Sequence, residues 1–317
     1  MTLTQLEAFV LVARLGSVKA AARALGVSEP AVSGALAALR QHLGDQLVER
    51  TPNGMALTPG GRRLIPIASQ MVNLAVEAEA AIRDAQGAPE LLRVVATSVV
   101  AEFLAPALLA VFTNRGHAVE ASVGLTTEAE MSALLSERLA DVGLGPRLPD
   151  LASEPVMRYR LVVVAGPHHR LATNRVRVSA AALGGQEWLV GPSAVDRGSD
   201  VERVLRHFQV PESRLRVFGS EAAAWAAAAD GHGVAPAVAH LVAPEVRRGA
   251  LAVLPVEGTP VDLLWYVTTL SPDRRSPAAT RLRRFLATPD AMHVMHRADG
   301  SVPASRFRPP VYVTLWS

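Results

Sequence analysis

Residues 17–58 read SVKAAARALGVSEPAVSGALAALRQHLGDQLVERTPNGMALT, and this stretch decides the fold. Ser17 is a good helix N-cap, with Val18, Ala21, Ala22 and Leu25 following at helical spacing. Gly26 permits a tight turn, and Ser28 can cap a second helix with Glu29 and Pro30 in its first turn. Along that helix Val32, Leu36, Leu39 and Leu43 recur on one face, which predicts a buried side and leaves the other for a partner. Two short helices joined this way are a scaffold that lays its second helix in a DNA major groove. After them, Leu47–Arg50, a Thr51-Pro52-Asn53-Gly54 turn and Met55–Leu57 predict a wing-like hairpin, with Asn-Gly the strongest short-range hairpin signal.

Working outward, a first helix carries Leu6, Phe9, Val10 and Ala13 on one face, completing an all-α N-terminal part over residues 1–57. Residues 58–90 are expected to be a linker. Thr58 can cap a long helix and Pro59 suits its first position. Leu64, Ala68, Met71, Ala75, Ala78 and Ile82 form a stripe suited to pairing with another helix. Dimerisation would bury that stripe; packing within the same subunit is the alternative. Pro66 removes one backbone bond and is expected to kink the helix.

Beyond residue 91 the period changes. Short apolar strands (91–96, 119–123, 141–144, 161–165, 187–190, 216–218, 261–268) alternate with helical stretches, among them one running from about 98 to 112 and another over 128–138. That alternation predicts α/β architecture with a parallel sheet covered on both faces. Two linked lobes are expected within 91–288, lobe I at about 91–160 and 269–288 and lobe II at about 161–268. A tail, 289–317, ends in an alternating stretch that is either an added edge strand or disordered.

The charge fits a nucleic-acid partner. The net charge is +3, and residues 1–65 hold seven basic side chains against four acidic, so all of the excess lies on the proposed reading head. There is no cysteine, which removes disulfides and thiolate chemistry. Glu7 and Arg14 interrupt the first apolar stretch, no leader is expected, and no window reaches the roughly 18 apolar residues of a membrane span. The expectation is a soluble, cytoplasmic protein.

The order of elements, with SVKAAARALGVSEPAVSGALAALRQHLGDQLVERTPNGMALTPGG, LADVGLG, HHRLA and RRGALAVLP, resembles the LysR-type transcriptional regulators over roughly residues 2–288. The resemblance implies a winged helix-turn-helix, a linker helix and a two-lobed, periplasmic-binding-protein-like effector domain. It further implies a homo-oligomer, a dimer through the linker helix or more often a tetramer, acting in transcription regulation with RNA polymerase. The closing RFRPPVYVTLWS resembles a smaller actinobacterial branch linked to carbon monoxide dehydrogenase genes.

On the DNA side, Ser28 and Ser33 are short donors at the start of the second helix and suit phosphates, with plain capping the alternative. Pro30 offers an apolar surface for a thymine methyl group. Lys19 and Arg23 suit phosphates, although Arg23 is as readily a solvated surface charge. Arg50 stands beside the hairpin tip and is placed to enter the minor groove. Thr58 is counted with this set. Similar positions in the family make such contacts, with two departures here: the family often has Gln where this chain has Glu29, and Arg where it has Gly34. Both predict altered base preference.

On the effector side, ligands sit beyond the carboxyl ends of strands. That rule selects Thr97 and Ser98 after the first strand, Thr126 and Thr127 after the second, and Ser193 after the first strand of lobe II. The family binds its small inducers at similar places, and a carboxylate or other small anion is the leading expectation. For Thr97 and Ser98, N-capping is the alternative. Glu221 has a comparable position and would disfavour a multiply charged anion. His232 either faces the cleft or lies on a surface loop. No cofactor or metal is expected. His168 and His169 point opposite ways on an extended segment, the DGHGVAP loop lacks the residues of a phosphate or dinucleotide loop, and no nucleophile-elbow signature is present. An enzyme is therefore not expected, and a sensor acting on another protein is the remaining alternative.

Overall fold

A computed structural model describes residues 1–51, 54–85, 89–115, 118–173 and 177–296, without the side chains of some residues inside helices and strands, Arg23 and Arg50 among them. The described chain divides into two compact units: Met1–Leu91 with Leu134–Ala140, and Leu92–Ala133 with the described residues from Asp141 to 296. The Asn53 tip of the hairpin and the chain after residue 296 lie outside the described residues.

The N-terminal unit opens with α1 (Leu3–Leu15), α2 (Val18–Leu25) and α3 (Glu29–Leu43). A capping box starts α1: Gln5 N donates to Thr2 Oγ1 at 3.3 Å, and Thr2 N donates to Gln5 Oε1 at 2.9 Å. Ser28 caps α3 by accepting from Ala31 N. Val32, Leu36 and Leu39 of α3 join Leu6 and Phe9 in one buried cluster. Leu43, expected on the same face, is 40% exposed. It is the last residue of the helix and falls beyond that cluster. Next come β1 (Val48–Thr51) and β2 (Gly54–Leu57), antiparallel with Val48 opposite Leu57. The linker helix α4 (Pro59–Ala85) is a single helix that includes Pro66. Ala68 and Val72 bury against the α1–α3 core, with Leu64 packed beside them.

From Glu90 the order is β3 (Glu90–Ala96), α5 (Ser98–Phe103), α6 (Ala105–Thr113), β4 (Val119–Leu125), α7 (Glu128–Ser136), β5 (Val142–Gly145) and β6 (Ala152–Ala165). It continues with α8 (Arg170–Thr173), α9 (Ala180–Gly184), β7 (Trp188–Val190), α10 (Asp200–His207), β8 (Leu215–Val217), α11 (Glu221–Ala229) and β9 (Val234–Val238). The last elements are α12 (Ala243–Arg247), β10 (Ala252–Val253), β11 (Val261–Thr269), α13 (Pro277–Leu286) and α14 (Pro289–His296). The helix expected from 98 to 112 is two helices. Pro106 stands at the start of α6, where its ring and missing N–H prevent continuation of the turn before it.

The strands form one mixed sheet in the order β4-β3-β5-β11-β6-β9-β7-β8, with β10 on β6. Among the described pairings, β3–β5, β7–β8 and β7–β9 are parallel. The wholly parallel sheet expected from the alternation is corrected by two long strands. β11 runs antiparallel to β6 from Val261 opposite Leu161 to Thr269 opposite Ala152. Each of these strands crosses from one half of the sheet to the other, and the boundary expected at 160/161 falls inside β6. A single buried cluster, including Phe112, Val163, Trp188 and Phe285, fills both halves.

Candidate DNA interface and effector cleft

At the cap and first turns of α3 the residues Ser28, Glu29, Pro30, Ser33 and Gly34 are all exposed, opposite the buried Val32, Leu36 and Leu39. The Ser28 hydroxyl accepts from Ala31 N and keeps its own proton free to donate outward. A Cβ added at Gly34 would meet nothing within 4 Å, so this position is open surface. Lys19 is exposed on α2. The side chains of Arg23 and Arg50 lie outside the described residues, as does the hairpin tip.

Thr58 is a correction. It is buried, donates from Oγ1 to Asp45 Oδ1 at 2.7 Å, and accepts from Gly61 N at 2.9 Å as the cap of α4. Its hydroxyl is used inside the fold and has no face for DNA. Asp45 also accepts from Leu47 N at 2.6 Å, and the Leu47 and Thr58 bonds hold its carboxyl below the usual carboxylate range. Arg40 of α3 reaches the same junction, donating from Nε to Gln46 O at 2.7 Å and from Nη2 to Val48 O at 3.1 Å. The Gly60-Gly61 pair follows from this packing. A Cβ at 60 would lie 2.0 Å from Asp45 Oδ2, and one at 61 would lie 2.1 Å from Leu47 O. The wing is thus locked to both α3 and the start of α4.

The other face of α4 carries a row of exposed apolar residues among those described. Ile67, Met71, Leu74, Ala78 and Ile82 are exposed, Ile82 by 62%. The paired stripe expected from the sequence is therefore split: Leu64, Ala68 and Val72 face α1, and a parallel row faces outward.

In the effector domain, the ends of β3, β5, β7 and β9 converge on a cavity whose walls include Thr97, Ser98, Pro146, Ser193 and Val238. Of the expected effector residues, Thr97, Ser98 and Ser193 are here. Glu221, just beneath, is 2% exposed; Ser98 Oγ donates to its Oε1 at 3.2 Å and Ser193 N at 3.0 Å. Glu102 answers from α5, accepting from Glu221 N at 2.9 Å and Ala222 N at 3.0 Å. Burial pushes the Glu102 carboxyl up to about 7 against the pull of those two amides. Burial also raises Glu221, opposed by the hydrogen bonds it accepts.

Three expected effector residues lie away from this cavity. Thr127 caps α7: its Oγ1 donates to Glu130 Oε2 at 2.9 Å and accepts from Glu130 N at 3.3 Å. Thr126 is buried and donates to the Thr127 carbonyl. His232 is exposed in the turn after α11, its ring nitrogen 3.2 Å from Ala227 O. None of the three lines the cavity.

The sequence reading missed the opposite wall, made of Glu128, Tyr159, Asp196, Asp200 and Trp265. Tyr159 and Trp265 stack with centroids 4.2 Å apart, at a shift of register in β11. Tyr159 donates to Asp200, which also pairs with Arg203. Glu128 N donates to Asp196 Oδ2 at 3.2 Å, and burial raises both carboxyls. Three carboxylates on one wall run against the free anion expected from the sequence. The cavity holds about 50 Å³, room for a few waters and far short of the roughly 300–1,000 Å³ of a small-molecule site. Among the described residues no cluster of candidate metal ligands occurs. No described helix is long and apolar enough to cross a membrane.

The chain is similar to known proteins over most of its length. A family profile described as the LysR substrate binding domain matches residues 85–289, and one described as a bacterial regulatory helix-turn-helix protein, lysR family, matches residues 3–62. An uncharacterized HTH-type transcriptional regulator of Mycobacterium tuberculosis is 35% identical over 324 residues, covering 100% of both chains. The HTH-type transcriptional regulator CfxR of Cupriavidus necator is 29% identical, over 96% of this chain and 97% of the relative. Among solved structures, that of CbnR, a LysR family transcriptional regulator, has a TM-score of 0.59 at 23% identity, covering 90% of this chain and 98% of that one.

Proposed function

The chain belongs to the LysR family of transcriptional regulators, and from that premise we propose how its parts divide the work. The exposed start of α3 enters the major groove, with Ser28 and Ser33 on phosphates, Pro30 against the base edges, and Lys19, Arg23 and Arg50 on the flanking backbone or minor groove. The observation that carries this reading is the clean division of α3 between a buried apolar face and an exposed face of small and polar residues. The outward row Ile67, Met71, Leu74, Ala78 and Ile82 pairs two copies into a dimer, and dimers assemble further on DNA.

The cavity between the halves of the sheet is the effector site. At about 50 Å³ it has to open to admit a metabolite, so the effector acts by favouring one separation of the halves over another. That change alters the DNA bend imposed by the oligomer and hence access of RNA polymerase. A gel shift on the DNA upstream of the gene encoding this chain tests the reading. Binding is expected to weaken at least about tenfold between 50 and 200 mM salt, as phosphate neutralisation requires. Absence of salt-sensitive binding would overturn it.

A further inference from the structure

We propose that Glu221 is a tethered carboxylate ligand, which fills from within the chain the donor cluster where a free carboxylate effector would otherwise bind and so closes that cluster to anionic ligands. This deepens the effector-site reading above and rests on it.

Three observations converge. Glu221 is 2% exposed, and its hydrogen-bond partners are hydroxyl and backbone-amide donors, not a cation. A carboxylate withdrawn from water holds its place only if donors replace its hydration. Here the donors come from separate segments, Ser98 after β3 and Ser193 after β7, the strand ends at which a ligand of this architecture is expected. Second, the backbone is shaped around the carboxylate. A Cβ at Gly191 would lie 2.4 Å from Glu221 Cδ and 2.6 Å from both oxygens, so a side chain there would displace the carboxylate from its place. Third, the start of α11 is itself pinned. Glu102 accepts from Glu221 N and Ala222 N, so the helix that delivers the carboxylate is held by the same α5 that supplies Ser98. The titratable group facing Glu221 from α5 is Glu102; Ser98, Gly191 and Ser193 supply the rest of its surroundings.

The replacement of Glu221 by Ala removes a CH2–COO⁻ group, which is acetate less one hydrogen, so acetate is the matching probe. The full-length protein, E221A and E221Q are melted in sodium acetate and in sodium chloride at equal ionic strength. E221A is expected to gain about 3 °C or more in 50 mM acetate over chloride, because a ligand that binds only the folded form stabilises it. Wild type and E221Q, whose cluster is already filled, are expected to show no such difference. If E221A does not fold in chloride, recovery of folded protein in acetate alone counts as the same result. Equal behaviour of E221A in acetate and chloride, folded or unfolded, overturns the proposal. The readout needs no DNA, so a failed gel shift and a failed acetate response remain separate results.

Discussion

At Gly34 helix α3 presents no side chain to its outer face, although a glycine inside a helix costs about 1 kcal/mol relative to alanine. Open space surrounds the position, so a long side chain fits there without repacking. G34R is therefore expected to melt at or above the wild-type temperature. It is also expected to bind operator DNA more tightly, with a salt slope steeper by about one. Gel shifts across a salt series check this; an unchanged slope would place residue 34 away from the phosphates. Thr58 shows the opposite case at the same scale. Its hydroxyl looks available in the sequence, yet Asp45 and Gly61 N consume it. A one-dimensional reading shows which groups can bond but not whether a neighbour thirteen residues away has already engaged them.

At the level of elements, the wing is fixed by contacts that tolerate little added volume. G61A would press a methyl group against the Leu47 carbonyl, a backbone atom that cannot move aside cheaply. A loss of about 1–3 kcal/mol is expected, read by thermal melting, together with weaker DNA binding. G34R, on the open surface of α3, provides the contrast. The linker helix gives a different prediction. Leu74 is 58% exposed, so L74E should leave the fold intact while placing a charge in the outward row. Sedimentation is expected to show dissociation to a smaller species, whereas an unchanged mass would move the interface to another face. The heptad-like spacing predicted a stripe, but only the packing of α1 divides it into an inward row and an outward one.

Across the effector domain, the two halves of the sheet are joined by β6 and β11 and clasped by two carboxylates, Glu102 on the start of α11 and Glu221 on Ser98. Glu102 titrates near 7 in the folded protein against an ordinary value of 4.5. Between these values the folded form holds a proton that the unfolded chain has released. Its contribution to stability is therefore complete below about 4.5 and is lost as the pH rises through about 7. Glu221 shifts in the same direction. The domain is expected to melt at falling temperature from pH 5 to pH 8, and E102Q, which cannot ionise, should flatten that slope. Parallel slopes in the two proteins would remove Glu102 from the clasp.

The helix-turn-helix, the hairpin after it, the linker helix and the presence of an α/β domain are legible in the sequence, because each rests on local periodicity, caps and turn residues within a few positions of one another. The sequence also locates Thr97, Ser98 and Ser193, since strand ends are legible from the change of period. The antiparallel run of β6 and β11 through both halves emerges from three-dimensional pairing alone. Tertiary folding alone brought Tyr159, Asp200 and Trp265 to one wall, and it alone filled the Ser98–Ser193 donors with Glu221. Those outcomes depend on pairings between residues far apart in the sequence, from 28 positions for Ser193 and Glu221 to 123 for Ser98 and Glu221, whose free energy comes from burial and hydrogen bonding that no local pattern records.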